Sequence, residues 1–424
     1  MTPAKLRLLV LFLLVFVAGY FIGTLKVSVD WKNYKPNITV VNKEPPTTAS
    51  LVDFTLFWNV WDKLTSNYYD QKVVDPQKML YGAISGMVAS VGDPYTLFLP
   101  PAQQTSFQQQ LAGQFSGIGA ELGLKDSNII IIAPLDGSPA GKAGIKAGDT
   151  IVSVDGKSTQ GWTLDKAVTM IRGPKGTQVV LGIIHKDSKD STNITITRDT
   201  ITVKSVVGYI KKVKDIEGVN LQSSSVADTS VFYLRLSQFG DATDTDWENL
   251  VNSLVGKIKT DNVKGIILDL RNNPGGYLTD ATFIAGEFLP EGAPVVMEEE
   301  ASGDRTTLSV NRKGQLVNDI PLVVLINKGS ASAAEIVSGA LRDNHRAKLV
   351  GESSFGKGTV QEALDLGNGA GLHVTIAKWL TPNGTWVGKG VDGTGLTPDV
   401  AVSLDQKDPS HDLQLEKAIQ TVLQ

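Results

Sequence analysis

The stretch VLINKGSASAAEIVSGALRD at 324–343, followed by GESSFGKGTVQ at 351–361, decides how this chain is read. An apolar strand runs into a turn of small residues and then into an amphipathic helix. At such a strand-to-helix turn a serine hydroxyl stands exposed, beside backbone N–H donors and the positive end of the helix dipole. Ser332 occupies that place, and Gly329, Ser330, Ala331, Ala333 and Ala334 around it let a substrate backbone come close. None of the four histidines, His185, His345, His373 and His411, stands at a recognisable position beside it. A base must therefore come from elsewhere, and Lys357, in a glycine-flanked loop with an apolar front, is the candidate. A lysine can take a proton only when burial lowers its pKa from ~10.4 toward neutrality.

GESSFGKG, preceded by the strand-like AKLV, also comes near the phosphate-binding pattern GxxxxGK[ST]. Gly358 stands where that loop needs a hydroxyl to hold magnesium, and Thr359 is one residue late, so the phosphate reading fails.

Outward from the turn, apolar strands alternate with amphipathic stretches. SVFYLRLSQF (230–239), a helix near WENLVNSLVGKIK (247–259), VKGIILDLR (263–271), a helix near TDATFIAGEFL (279–289) and PLVVLIN (321–327) lead up to it. The alternation predicts an α/β layer structure with its site at the strand ends. At 424 residues the chain is long enough for two or three domains, and 42% apolar with 20% charged residues is globular usage.

Lys plus Arg number 40 against 44 Asp plus Glu, a net charge of −4, which offers no field for a phosphate backbone and argues against a nucleic-acid partner. The absence of cysteine removes disulfides, thiolate nucleophiles, thiolate zinc sites and a lipidated cysteine, and no HExxH pair is present.

Lys5 and Arg7 precede an uncharged run from Leu8 to Leu25. As a helix this spans roughly 27 Å, close to a hydrocarbon core of ~30 Å, so 1–25 predicts a transmembrane signal anchor with the body exported. A cleaved signal peptide is the rival, with Val17 and Gly19 forming a weak site before Tyr20. Residues 26–50, with Pro36, Pro45 and Pro46, read as a linker. Residues 51–113 read as an N-terminal helical domain, from FTLFWNVWDKLTSNYY (54–69) and PQKMLYGAISGMVASVG (76–92), stopped by DPYTLFLP.

From 114 to 204 the chain turns to short β runs and glycines, with one helix over TLDKAVTMIRG (163–173) set by Leu164, Ala167, Val168 and Ile171. This segment, with GSPAGKAGIKAGDTIVSVDG (137–156), resembles a PDZ domain, a small barrel-like β fold with helices. The resemblance implies that Ser116, Gly117, Ile118 and Gly119 form the loop that binds a terminal carboxylate. Leu164, Val168 and Ile171 would then line the pocket for the last side chain, while the peptide adds as a strand.

The nucleophile and lysine segments, with GIILDLRNNPGGYL (265–278) and GTGLTPDV (393–400), resemble the carboxyl-terminal processing, or tail-specific, serine peptidases, over nearly all of 54–400. The resemblance implies a crotonase- or Clp-like α/β core over 205–424, with Ser332 as nucleophile and Lys357 as base. It implies Gln361, about one helical turn beyond the lysine, as the residue that orients the amine. It implies Gly275, Gly276 and Ala333 as oxyanion donors, and supporting roles for Asp343 and for Arg172, which can communicate with the active site. Asp343 as a structural acceptor at a helix end, and Arg172 in a surface ion pair, are equal readings. Glu335 reads as a helix N-terminal charge.

The expected protein is thus a membrane-anchored serine endopeptidase, needing no metal or cofactor, that cuts proteins near free C-terminal tails ending in an apolar or small residue. Homodimerisation through the N-terminal helical domain is expected with it. The alternative is a catalytically inactive PDZ scaffold that only binds tails; an acyl-transfer or hydratase enzyme on a similar core is a third reading.

Overall fold

The computed structural model describes residues 27–32, 35–40, 52–125, 128–135, 137–186, 188, 190–202, 204–221, 224–317, 319–388, 395–403 and 411–424. The anchor expected at 1–25 lies outside them. Among the described residues no helix is long and apolar enough to cross a membrane. The chain divides into two compact units, 1–82 and 83–424.

In the first unit the expected linker is not featureless. Strands β1 (Val27–Lys32) and β2 (Lys35–Val40) pair antiparallel, Val27 opposite Val40. The alternation in Val27, Val29 and Trp31 against Ile38 and Val40 accounts for it, a period-2 pattern that the nearby prolines obscure. Helix α1 (Thr55–Asn67) follows, its first turn held by Asp53 Oδ1, which accepts from the Thr55 N–H at 2.8 Å. It buries none of its residues, and Leu56, Trp58, Val60 and Leu64 are exposed. Helix α2 (Pro76–Ala89) runs across the division between the units.

In the second unit, β3 (Leu97–Leu99) and α3 (Pro101–Leu111) lead into the glycine-rich region. There β4 (Gln114–Gly117) pairs with β11 (Asp199–Thr202) and closes the segment off from its flanks. Between them lie β5 (Ala120–Lys125), β6 (Asn128–Pro134), a short helix α4 (Pro139–Lys142), β7 (Thr150–Val154), β8 (Lys157–Ser158), α5 (Leu164–Ile171), β9 (Gln178–Ile184) and β10 (Ser191–Thr197). The sheet order is β10-β9-β7-β6-β5, with β8 on β7. Ile129, Ile131, Ile151, Leu181 and Ile183 fill its core under Ala167 and Ile171 of α5. Helix α4 is an addition to the expected elements; Ser138 caps it, accepting from Gly141 N–H at 3.1 Å, with Pro139 at its first position.

The next layer is a six-stranded sheet, β12 (Val206–Lys212), β13 (Ser230–Leu236), β14 (Val263–Asp269), β17 (Leu322–Ile326), β18 (Ala347–Gly351) and β21 (Val400–Ala401), in that order. Only β12 is antiparallel to its neighbour. Strand alternation divides the side chains cleanly. Phe232, Leu234, Ile266, Leu268, Val324 and Ile326 meet α6 (Thr243–Leu254), α7 (Leu278–Ala285) and α8 (Ala333–Asp343) on one face. Val231, Tyr233, Ile267, Val323 and Leu325 meet α9 (Leu413–Val422) on the other. Strands covered on both faces read as continuous apolar runs, which is why VKGIILDLR and PLVVLIN carried no alternation.

A second sheet, β16 (Arg305–Ser309), β15 (Pro294–Glu300), β20 (Ala370–Leu380) and β19 (Thr359–Gly367), has β3 also paired on β20. Buried Asp269 and Arg271 pin the end of β14 to the C-terminal helix: Arg271 donates to both Asp269 and Asp412, and Tyr233 Oη donates to Asp269 Oδ2 at 2.7 Å. The backbone immediately downstream, NNPGG, enters the site from a braced strand end.

Candidate active site

Ser332 opens α8 with φ 51° and ψ −117°, left-handed backbone that a non-glycine residue adopts only when its surroundings impose it. Those surroundings are polar and buried. Ser330 Oγ donates to Leu270 O at 2.8 Å, Asn327 Oδ1 accepts from the N–H groups of Asn272 and Gly329, and Ala331 N–H donates to Asn273 O at 2.9 Å. The turn is stitched to the strand end that carries Pro274, Gly275 and Gly276.

Glu335, three residues into the helix and fully buried, binds the lysine loop to this turn. Its Oε2 accepts from Ser332 N–H at 2.8 Å and Lys357 N–H at 3.0 Å; its Oε1 accepts from Ser354 Oγ at 2.6 Å and Gly356 N–H at 2.7 Å. Burial pushes its carboxyl up, opposed by these four bonds. The sequence reading as a dipole charge missed this role. The S-A-A-E spacing from Ser332 to Glu335 is a capping-box pattern and could have signalled half of it.

A cleft of about 330 Å³ gathers Ser332, Ala333, Gly275, Gly276, Lys357 and Gln361. Tyr95, Leu97, Phe107, Ile336, Val360 and Trp379 give it apolar walls. Burial lowers the pKa of Lys357, with Asp93 and Glu335 pulling the other way. Its Nζ lies 5.2 Å from the centre of the Tyr95 ring, and its carbonyl accepts from Trp379 Nε1 at 2.8 Å. Gln361 lies on strand β19 rather than on a helix, because the lysine loop runs straight into the second sheet. Its Nε2 donates to Thr359 Oγ1 at 2.8 Å and Thr375 Oγ1 at 3.1 Å.

Gly275 departs from its expected part. Its N–H donates to Asn273 Oδ1 at 2.8 Å, so this amide is already occupied. The residue matters sterically instead: a Cβ there would stand 2.8 Å from Ser332 Cβ and 2.9 Å from Ala333 N. Gly276, at φ 145°, backs onto Phe239, and Ala333 contributes one of the first-turn amides that a helix leaves without an internal partner.

Asp343 does not reach the cleft. It ends α8, about 16 Å along the axis from Ser332, and accepts from Arg342 Nε and Asn383 N–H, each at 3.0 Å. Its place is that of a structural acceptor. Arg172 lies over the Phe115 ring at 4.9 Å, in the glycine-rich domain. There a second pocket of about 350 Å³ is lined by Ser116, Gly117, Ile118, Gly119, Val168, Ile171 and Arg172. The loop is held by Ala140 N–H on Ile118 O and Leu135 N–H on Gly119 O. Leu164, a turn earlier on α5, is not among the residues that line it.

Residues 230–402 match Peptidase family S41, 130–184 match a PDZ domain, and 13–101 match the N-terminal domain of the activating protease CtpB. Carboxy-terminal processing protease CtpA of Bacillus subtilis (strain 168) is 33% identical over 94% of this chain and 78% of its own length. CtpB of the same strain is 37% identical over 84% and 69%. The solved photosystem II D1 C-terminal processing protease is 29% identical, covers 86% of this chain and 91% of its own, and superposes with a TM-score of 0.50. With the strand-borne cleft, the PDZ fold and these likenesses together, the chain belongs to the carboxy-terminal processing serine peptidases of family S41.

Proposed function

We propose that this peptidase works by a Ser332/Lys357 dyad assisted by Gln361. The observation that carries it is the convergence of all three on one cleft around a lysine whose pKa burial lowers. Neutral Lys357 Nζ takes the Ser332 hydroxyl proton as Oγ bonds to the substrate carbonyl carbon. The N–H groups of Gly276 and Ala333 hold the oxyanion, with Gly275 keeping the approach open. As the C–N bond breaks, Lys357 returns the proton to the leaving amine. Water then attacks the acyl ester, giving a proton to Lys357, and the breaking C–O bond recovers it on Ser332.

In the same reading the PDZ pocket captures the free C-terminus of a protein substrate, raising its effective concentration at the cleft. The mainly apolar lining, Ile118, Ala120, Leu122, Val168 and Ile171, suits an apolar last residue. The run Leu8–Leu25 behind Lys5 and Arg7 supports a single anchor, with the body on the extracytoplasmic side. The unburied apolar residues of α1 support homodimerisation through the N-terminal region; sedimentation of the Trp58→Glu chain at the wild-type dimer mass would count against it. Release of the chain from membranes by alkaline carbonate would count against the anchor.

The deciding test is digestion of an unfolded protein ending in Ala-Ala by the full chain, its Ser332→Ala form and its Lys357→Ala form. Cutting lost in both variants and unaffected by chelators is the expected result. Cutting that survives Ser332→Ala would move the nucleophile elsewhere.

A further inference from the structure

The turn Asp93-Pro94-Tyr95-Thr96, far from the catalytic segments in sequence, stands beside the lysine. Tyr95 faces Lys357 with its ring. Asp93 accepts from Thr96 Oγ1 at 2.6 Å and from Tyr95 N–H at 3.1 Å. Thr96 Oγ1, its proton committed to Asp93, accepts from Thr375 N–H at 3.1 Å. Burial works to raise the Asp93 carboxyl, but these bonds outweigh it and hold it below the usual range, so Asp93 is an acceptor at neutral pH.

One consequence is stereochemical. A hydroxyl has one proton. Thr96 gives its proton to Asp93, so toward the Thr375 N–H it can only accept, which holds β20 at the residue whose Oγ1 meets the Gln361 amide. The NH2 group of that amide is bonded to Thr375 and Thr359. The oxygen of the amide takes part in neither of these bonds and is left as an acceptor.

We propose that Asp93 is a positioning residue, acting through Thr96 and Thr375 to fix the amide of Gln361 with its oxygen available to Lys357. The inference rests on the Ser332/Lys357 reading above. The charged and titratable groups around the amine are Asp93 and Tyr95 from this turn, Glu335 from α8 and His373 from β20. His373 is held low by burial and by Lys357, and lies near Gln104 of α3.

The experiment compares full-length Thr375→Val, Thr375→Ser and Asp93→Asn with wild type on a short internally quenched peptide, reading kcat and KM across pH, with thermal melts alongside. Thr375→Val is expected to lose about 10- to 100-fold in kcat, the scale of a misplaced catalytic group, with KM within about twofold. Thr375→Ser, which keeps the hydroxyl, is expected to restore most of the rate. Asp93→Asn is expected to move the acid limb of kcat/KM to lower pH, because it removes a negative charge that favours the protonated amine. Thr375→Val within about twofold of wild-type kcat, or Thr375→Val and Thr375→Ser equally impaired with equal losses of melting temperature, would overturn the proposal. Ser332→Ala and Lys357→Ala run in the same assay separate the two levels. If both are dead while Thr375→Val is fully active, only this inference fails; if either retains activity, the dyad fails and takes it along.

Discussion

The backbone amides of Ser332 and Lys357, 25 residues apart, donate to the same oxygen, Oε2 of Glu335, at 2.8 and 3.0 Å. Nucleophile turn and lysine loop are thereby tied to one carboxylate, and Phe355 N–H, donating to Ser330 O at 2.9 Å, joins them directly.

Glu335→Gln tests that arrangement. The glutamine can turn only one oxygen toward four donors, so an NH2 group must face an N–H or a hydroxyl inside a dry site. Hydrogen bonds to a charged group are each worth about 1.5–3 kcal/mol, so the loss of one is expected to cost about 10- to 100-fold in kcat. A fall in melting temperature should accompany it. Wild-type kcat in the variant would show that the carboxylate is dispensable.

Lys357 carries a pH signature with a definite sign. Burial lowers its folded pKa below that of the unfolded chain, so between the two values the unfolded chain holds more protons, and stability rises with pH. Below the folded value the penalty stands in full; above the unfolded ~10.4 it is gone. Lys357→Met is therefore expected to be inactive yet more stable near neutrality, with its advantage shrinking as melts are carried from about pH 6 to about pH 10. An advantage that does not change with pH would contradict the assignment of burial as the cause.

At Gly276 a Cβ would fall on the carbonyl of Phe239, whereas at Gly292, φ 83°, it meets open space. Gly292→Ala is expected to cost about 1–2 kcal/mol of stability from its backbone conformation alone, with kcat unchanged. Gly276→Ala is expected to lose activity by more than about 100-fold, because the backbone that presents its amide must move. Comparable kcat values in the two variants would remove Gly276 from the site.

The PDZ pocket separates tail capture from chemistry. Val168→Asp places a carboxylate where an apolar side chain and a terminal carboxylate would dock. Its KM toward a tailed protein is expected to rise about tenfold or more, with kcat/KM on a short internal peptide unchanged. Equal losses on both substrates would mean that the domain supports the cleft rather than delivering to it.

How far the sequence carried depended on range. The Ser332 turn is legible because strand, small residues and helix are contiguous, and the central strands are legible because both faces are covered. The second sheet was not read: β19, VQEALDL at 360–366, keeps an exposed face and a mixed composition, and it is made a strand by pairing with β20. That pairing moved Gln361 from an imagined helix to a strand. Glu335 was seen as a helix-end charge because its partners Ser354, Gly356 and Lys357 lie a loop away, and the bond that joins Thr96 to Thr375 is longer in range still. Leu164 and the amide of Gly275 failed for a smaller reason: periodicity places a residue on a face but does not say where a pocket stops or which neighbour claims an N–H.

The cleft draws its lining from Tyr95 to Trp379, 284 residues further along, and its central sheet is mostly parallel, an architecture whose contacts close late in folding. On the Ser332/Lys357 proposal, a nascent or partly unfolded copy holds Ser332 without the wall, the lysine or the carboxylate that would make it reactive. Catalytic competence arrives only with completed folding, which spares the immature chain from attacking itself or its equally unfolded siblings.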